Sequence, residues 1–257
     1  MKDTYPWIQY KRQGIRLRWN RYARRTLVLG FSESTGGLGD QLWHTPLPRI
    51  AKESGCYSRV LLSKQSFYRH PGMKEVLWDS NPFIDGFVDE GGASFVNQRI
   101  DSDKNVLDQI VKSALVTTSV RGLEPEVHGD FPPMDGLQGK TFYDPNFITE
   151  AGNLNSESVS NYLAKHAIKV DAQFAPRWRA YPLAGTAVLP TGDLHWFCRA
   201  IKHASRVVCF TTGTATLAAA LGCPCLVLYG DGVATACHHS KLHQYVRLNE
   251  SARSLEH

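Results

Sequence analysis

Apolar residues along this chain gather in short solid runs, and between them lie stretches with helical spacing. Thr26–Ser32, TLVLGFS, is the first run and predicts a buried strand. A glycine-rich turn, GGLGD, follows it. Asp40–Glu53 then reads as a helix with Leu42, Leu47, Ile50 and Ala51 on one face. Pro46 and Pro48 must distort that helix or delay its start, because proline has no N–H to donate. Arg59–Ser63 predicts a second strand, Met73–Trp78 a helical stretch, and Asn81–Asp89 a turn leading into a strand. Strand, turn, helix and strand in this alternation are the mark of a parallel α/β sheet.

The pattern changes over residues 121–155, which are dense in Pro, Gly and Asp and read as a linker or long loop. A second α/β unit is expected from about residue 151. Ser156–His166 predicts a helix and Ala187–Leu189 a short strand. Asp193 should cap a helix running to about His203, with Leu194, Phe197, Cys198 and Ile201 on one face. Arg206–Phe210 is a strand. TTGT is a turn, Ala215–Leu221 is a helix stopped by Gly222, and Cys225–Tyr229 is another buried strand.

Charge divides the 257 residues unevenly. Residues 1–25 hold eight Lys/Arg against Asp3, while the remainder carries 21 basic and 23 acidic residues. The body is therefore nearly neutral, and no nucleic-acid partner is expected. In the basic arm Ile15, Trp19 and Tyr22 share a helical face among Arg16, Arg18, Arg21, Arg24 and Arg25. Such a helix packs on its own domain or lies on an anionic membrane surface. There is no apolar run long enough to span a membrane and no signal-peptide core. Six cysteines in a chain of this length do not make a disulfide scaffold. A cytoplasmic protein is the expectation, with peripheral membrane contact through the arm, or contact of the arm with nucleic acid or a partner chain, as the alternative to packing on its own domain. Leu255–His257 reads as a tag remnant.

Two strand–turn–helix junctions carry candidate chemistry. Gly36, Gly37 and Gly39 let backbone approach a ligand closely, and Asp40 follows at the helix start. A cap and a functional carboxylate both fit Asp40. The G-x-G-x-x-G spacing is absent, and Leu62–Gln65 has no acid to hold a ribose, so a dinucleotide-dependent oxidoreductase fits poorly. At the second junction Thr211, Thr212, Gly213, Thr214 and Thr216 offer hydroxyls and N–H groups for a phosphate cradle, without a Walker lysine. Cys237, His238, His239 and His243 cluster near the end. They read as local polar surface and lack a second pair of metal ligands. Cys223 and Cys225 flank a buried strand and read as core.

In this order the motifs resemble glycosyltransferase family 9, the heptosyltransferases of lipopolysaccharide assembly. GLGDQLWHTPLPRIAKE is similar to the family's N-terminal signature, and NPFIDGFVDE to the stretch that follows it. VVCFTTGTATLAAALGCPCLVLYG is similar to its C-terminal signature. Thr211 stands where the family usually has Asp, and Thr216 where it usually has His. The family's Lys-Arg-Trp-Pro-like run is reduced to Arg177-Trp178-Arg179.

The resemblance implies a GT-B architecture: two Rossmann-like domains facing a cleft, the second one reduced. Residues 26–150 would form the acceptor side and 151–254 the nucleotide-sugar side. It implies a metal-independent, inverting glycosyltransferase that moves a heptose-like sugar from a nucleotide-diphosphate sugar, ADP-linked in the family, to a carbohydrate or glycolipid hydroxyl. No cofactor is implied. Asp40 would be the catalytic base with His44 beside it. Thr211, Thr212, Gly213, Thr214, Thr216 and Arg177 would hold the donor. A family member that binds a sugar nucleotide or a partner without turnover also fits the altered motifs.

Overall fold

The computed structural model describes residues 25–96, 100–119, 122–148, 151–177, 179–190 and 192–248. The basic arm before Arg25 and the final Leu255–His257 lie outside the described residues.

Among the described residues eight strands form two parallel sheets. The first sheet orders β1 (Thr26–Leu29), β2 (Arg59–Ser63) and β3 (Phe87–Val88) side by side. Leu29 also bridges Ala93 on the free side of β1. The second sheet, expected to be the shortened one, is the wider. Its order is β5 (Ala172–Gln173), β4 (Thr141–Tyr143), β6 (Arg206–Phe210), β7 (Cys225–Tyr229) and β8 (Gln244–Arg247). Strand β4 lies inside the stretch read as linker, so the second sheet takes its first strand from before residue 151.

Side chains of the second sheet alternate between two apolar layers, as in a parallel sheet covered on both faces. Phe142, Val207, Cys209, Cys225 and Val227 face one layer, and Tyr143, Val208, Phe210, Leu226 and Leu228 the other. The first layer is continuous with Leu27, Leu29, Val60 and Leu62 of the first sheet. The two units therefore share one core. Cys223 and Cys225 are buried in it, as their flanking of β7 suggested.

Helices α1 (Leu38–Leu42) and α2 (Leu47–Glu53) replace the single helix expected over Asp40–Glu53. Pro46 and Pro48 occupy the cap and first turn of α2, where a missing N–H costs nothing. Helix α3 (Val106–Ser113) is capped by Asn105, whose side chain accepts the Leu107 N–H at 2.9 Å. Helix α4 (Ser156–Lys165) covers the outer layer through Val159 and Leu163. Helix α5 (Leu194–Lys202) starts at Asp193, whose carboxylate accepts the Trp196 N–H at 2.7 Å. Helix α6 (Gly213–Ala220) follows β6 directly.

Candidate active site

Both glycine-bearing turns sit at carboxyl ends of parallel strands, where α/β folds bind ligands. They also touch. A Cβ on Gly39 would lie 3.3 Å from the Gly213 Cα, and one on Gly213 would lie 2.9 Å from the Gly39 nitrogen. These glycines are needed for helix-to-helix approach, not for unusual dihedrals. Gly36 is held tightly as well, since a Cβ there would meet the Phe67 ring at 2.4 Å.

The first turn is braced by buried polar side chains. The Gln41 amide donates to the Phe67 carbonyl at 2.9 Å and accepts the Trp78 indole N–H at 2.7 Å. His44 has no exposed surface. Its Nδ1 bonds the Asp40 carbonyl at 2.7 Å, and its Nε2 accepts the Phe95 N–H at 2.9 Å. With Nδ1 as donor and Nε2 as acceptor the ring is neutral. Burial pushes it down to about 4. His44 was expected beside Asp40 as a catalytic group. Instead both its nitrogens are spent inside the protein, and it ties α1 to the segment after β3.

Asp40 remains half-buried. Burial raises its carboxyl, while the Arg69 guanidinium and the Gly37 amide oppose that rise. The Cys237 thiol is close enough to feel the carboxylate, and it is pushed up by burial first and by Asp40 second. Arg69 is exposed, and His70 beside it is lowered by burial, then by Arg177 and Arg69.

At the second turn the threonines divide. The Thr214 hydroxyl donates to Asp144 at 2.5 Å, and the Thr216 hydroxyl turns back toward the Thr212 carbonyl at 3.5 Å. Thr216 is buried against Gly39. Neither hydroxyl is open to a ligand, which corrects the four-hydroxyl cradle. Thr211, Thr212 and Gly213 are half-buried, and the Thr212 hydroxyl has no protein partner. Asp144, missed in the sequence because it sits in the proline-rich tract, is 4% exposed. Its carboxylate also accepts from the Asn146 backbone at 3.1 Å and side chain at 2.7 Å. Burial raises the Asp144 carboxyl, and these bonds and Arg177 oppose the rise. The signal for it was present: an Asp-Pro-Asn turn closing an aromatic pair.

The histidine cluster is not surface. His239 and His243 are buried, and His243 donates to the Ala215 carbonyl at 2.7 Å and accepts the Cys225 N–H at 3.2 Å. The His239 carbonyl accepts from Asn105 at 3.0 Å, and its ring meets Trp43 edge-on, so this turn of the second unit packs on the first. Among the described residues no three His, Cys, Asp or Glu side chains are grouped to hold a metal ion. Directly after His70 a crevice of about 420 Å³ opens between the units, lined by Pro71, Gly72, Glu75, Asp130, Asp193 and His195.

The sequence matches no known family profile and no curated protein. Solved structures do match. TibC, a dodecameric, iron-containing glycosyltransferase of enterotoxigenic E. coli H10407, superposes with a TM-score of 0.61 at 14% identity over 85% of this chain. This chain spans 61% of TibC's length. A family 9 glycosyltransferase of Veillonella parvula superposes at 0.55 with 10% identity, covering 88% of this chain and 86% of that one. E. coli ADP-heptose heptosyltransferase II superposes at 0.56 with 11% identity, covering 86% and 89%. The fold is heptosyltransferase-like, of the glycosyltransferase family 9 kind. Within it Asp40 and the α6 turn lie at the carboxyl edges of the two sheets, on either side of the Gly39–Gly213 contact. No described helix is long and apolar enough to cross a membrane.

Proposed function

We propose that this protein is an inverting glycosyltransferase that takes a heptose-like sugar from an ADP-linked donor to a hydroxyl of a carbohydrate or glycolipid. The observation that carries the reading is the placement of Asp40. It is a half-buried carboxylate on a braced turn, next to Arg69 and across the helix contact from the α6 turn. TibC has been solved with ADP-D-β-D-heptose, which suggests the donor to try first.

The acceptor oxygen attacks the anomeric carbon as the bond to the diphosphate breaks. Asp40 takes the acceptor proton, and the nucleoside diphosphate leaves with the bonding pair. Positioned proton transfer of this kind contributes about 10²–10⁴-fold. The growing charge on the leaving group is met by the N-terminal turn of α6, at Thr211, Thr212 and Gly213, and by Arg177. The acceptor enters along the crevice that opens at Pro71. Asp40 acts alone as base, since His44 has no nitrogen to spare.

A thermal-shift series with ADP, ADP-heptose and NAD tests the reading. A ligand at 100 times its Kd stabilises by about 2.7 kcal/mol. Stabilisation by ADP-heptose with transfer to a glycolipid acceptor supports it, and stabilisation by NAD alone sinks it. A second reading, donor binding without turnover, is favoured by one observation: Thr214 and Thr216 have committed their hydroxyls within the protein. Binding of ADP-heptose with no transfer to any lipopolysaccharide-core acceptor would select it.

A further inference from the structure

Backbone bonds from Phe174, to Arg179 and from Tyr181 tie the segment after β5 to the β4 turn, and between them one side chain holds it at Ala175 and Arg177. Asn146 lies in the turn that ends β4, and its carboxamide bonds on both edges. Nδ2 donates to the Asp144 carboxylate at 2.7 Å and to the Ala175 carbonyl at 3.1 Å. Oδ1 accepts the Arg177 backbone N–H at 2.7 Å. Both donors and an acceptor position of the amide are used, which is nearly its whole capacity. Pro176 lies between the two tethered residues, and its ring locks φ there. Residues 175–177 are thus held at three consecutive positions.

The anchor beneath is buried and fully bonded. Asp144 is buried and takes bonds from Asn146 and from Thr214 in the first turn of α6. One carboxylate therefore links the start of α6 to Asn146, which in turn holds the Arg177 backbone. The Arg177 side chain is exposed, and no carboxylate among the described residues pairs with it. It lies close enough to act on Asp144 in its own unit and on His70 in the other. Fixed backbone beneath a guanidinium with no ion pair among the described residues, at the seam between two sheets, is the arrangement of an anion ligand whose loop-ordering entropy is already spent in folding.

We propose that Asn146 is a positioning residue that sets Arg177 to meet the donor diphosphate, with Asp144 as its anchor. The inference rests on the donor reading above and adds to it a residue that touches no substrate. The test is a double-mutant cycle read by calorimetry with ADP, at two salt concentrations, on the full chain. Arg177→Met should weaken ADP binding about tenfold or more, the size of one lost charge-assisted hydrogen bond, and should flatten the salt dependence. Asn146→Ala should weaken ADP binding by a similar factor and flatten the salt dependence in the same way. In the Arg177→Met background, Asn146→Ala should change affinity by less than about twofold, because sites acting through one contact are not additive. A merely structural Asn146 would lower Tm and cost the same in both backgrounds, which overturns the proposal. Wild-type binding of ADP with no loss in Arg177→Met also overturns it and removes Arg177 from the donor site, while leaving the ADP-linked donor itself in place. Absence of both ADP and ADP-heptose binding in the wild type overturns the two together. If the alanine protein does not fold, Asn146→Ser serves in its place, since its shorter side chain cannot reach the Arg177 N–H.

Discussion

The two strand–turn–helix junctions have the same parts and use them differently. Each places a carboxylate near a helix start and an arginine nearby: Asp40 with Arg69 in the first, Asp144 with Arg177 in the second. Asp40 grows from the turn itself and is half-buried, with its brace supplied by Gln41 and His44 behind it. Asp144 comes from the neighbouring strand β4, is buried, and accepts from Thr214 and twice from Asn146. A carboxylate with its lone pairs spent can hold structure but has little left to take a proton. One left at a seam can. On the proposed reading the same residue type serves as a base in one unit and as an anchor in the other, according to who bonds it.

Asp40→Asn attacks that division most sharply. It should cut turnover about 100-fold or more while ADP affinity changes less than about threefold. The melting temperature should stay level or rise at neutral pH. The sign follows from the raised carboxyl: a folded state that binds the proton more tightly is penalised by the ionised form above its folded pKa, and Asn removes that charge. Near-normal turnover in this variant would remove the base assignment.

His44→Ala tests the brace of the same turn. It opens a cavity and strands the Phe95 N–H, so a stability loss of about 2–4 kcal/mol is expected in chemical denaturation. If stability holds and only turnover falls, His44 belongs with the chemistry and the comparison fails on that side. Gly213→Val probes the contact between the junctions. Its first side-chain carbon would stand 2.9 Å from the Gly39 nitrogen, and crowding of this kind costs about 1–3 kcal/mol. A melting curve that does not move would show that the two helices part easily.

The smallest expected effect is a displacement of the pH profile. With Asp40 as the proposed base, its ionised form is the active one, so kcat/KM should fall as pH drops through a value above the ordinary 3.8. Arg69 holds that value down, and Arg69→Met should move the acid limb to higher pH. A limb that stays in place would detach Arg69 from Asp40.

Much of the scaffold was readable. Arg59–Ser63, Arg206–Phe210 and Cys225–Tyr229 are strands at the expected residues, and Asp193 caps its helix as its position predicted. Helix α3 went unread, although Val106, Leu107, Ile110, Val111 and Ala114 follow helical spacing, because a polar flank precedes it. Strand β4 was not, because three residues among Pro, Gly and Asp show no period. It is a strand only through pairing with β5 and β6. Strand β8 is a half-buried edge with no clean alternation. The His-rich turn read as surface because four polar residues in a row look solvated. Its burial comes from Trp43 and Asn105 of the other unit.

The sequence by itself determined the strand–turn–helix units, because apolar runs, proline positions and capping residues act over a few residues. It also placed Asp40 at the end of a glycine turn. Which polar groups are free was decided only by the tertiary structure. His44 is taken by Phe95, Thr214 by Asp144 and Arg177's backbone by Asn146, with partners 51, 70 and 31 residues away. A side chain's chemistry depends on whether its lone pairs and protons are already spent, and chain folding brings those distant partners together.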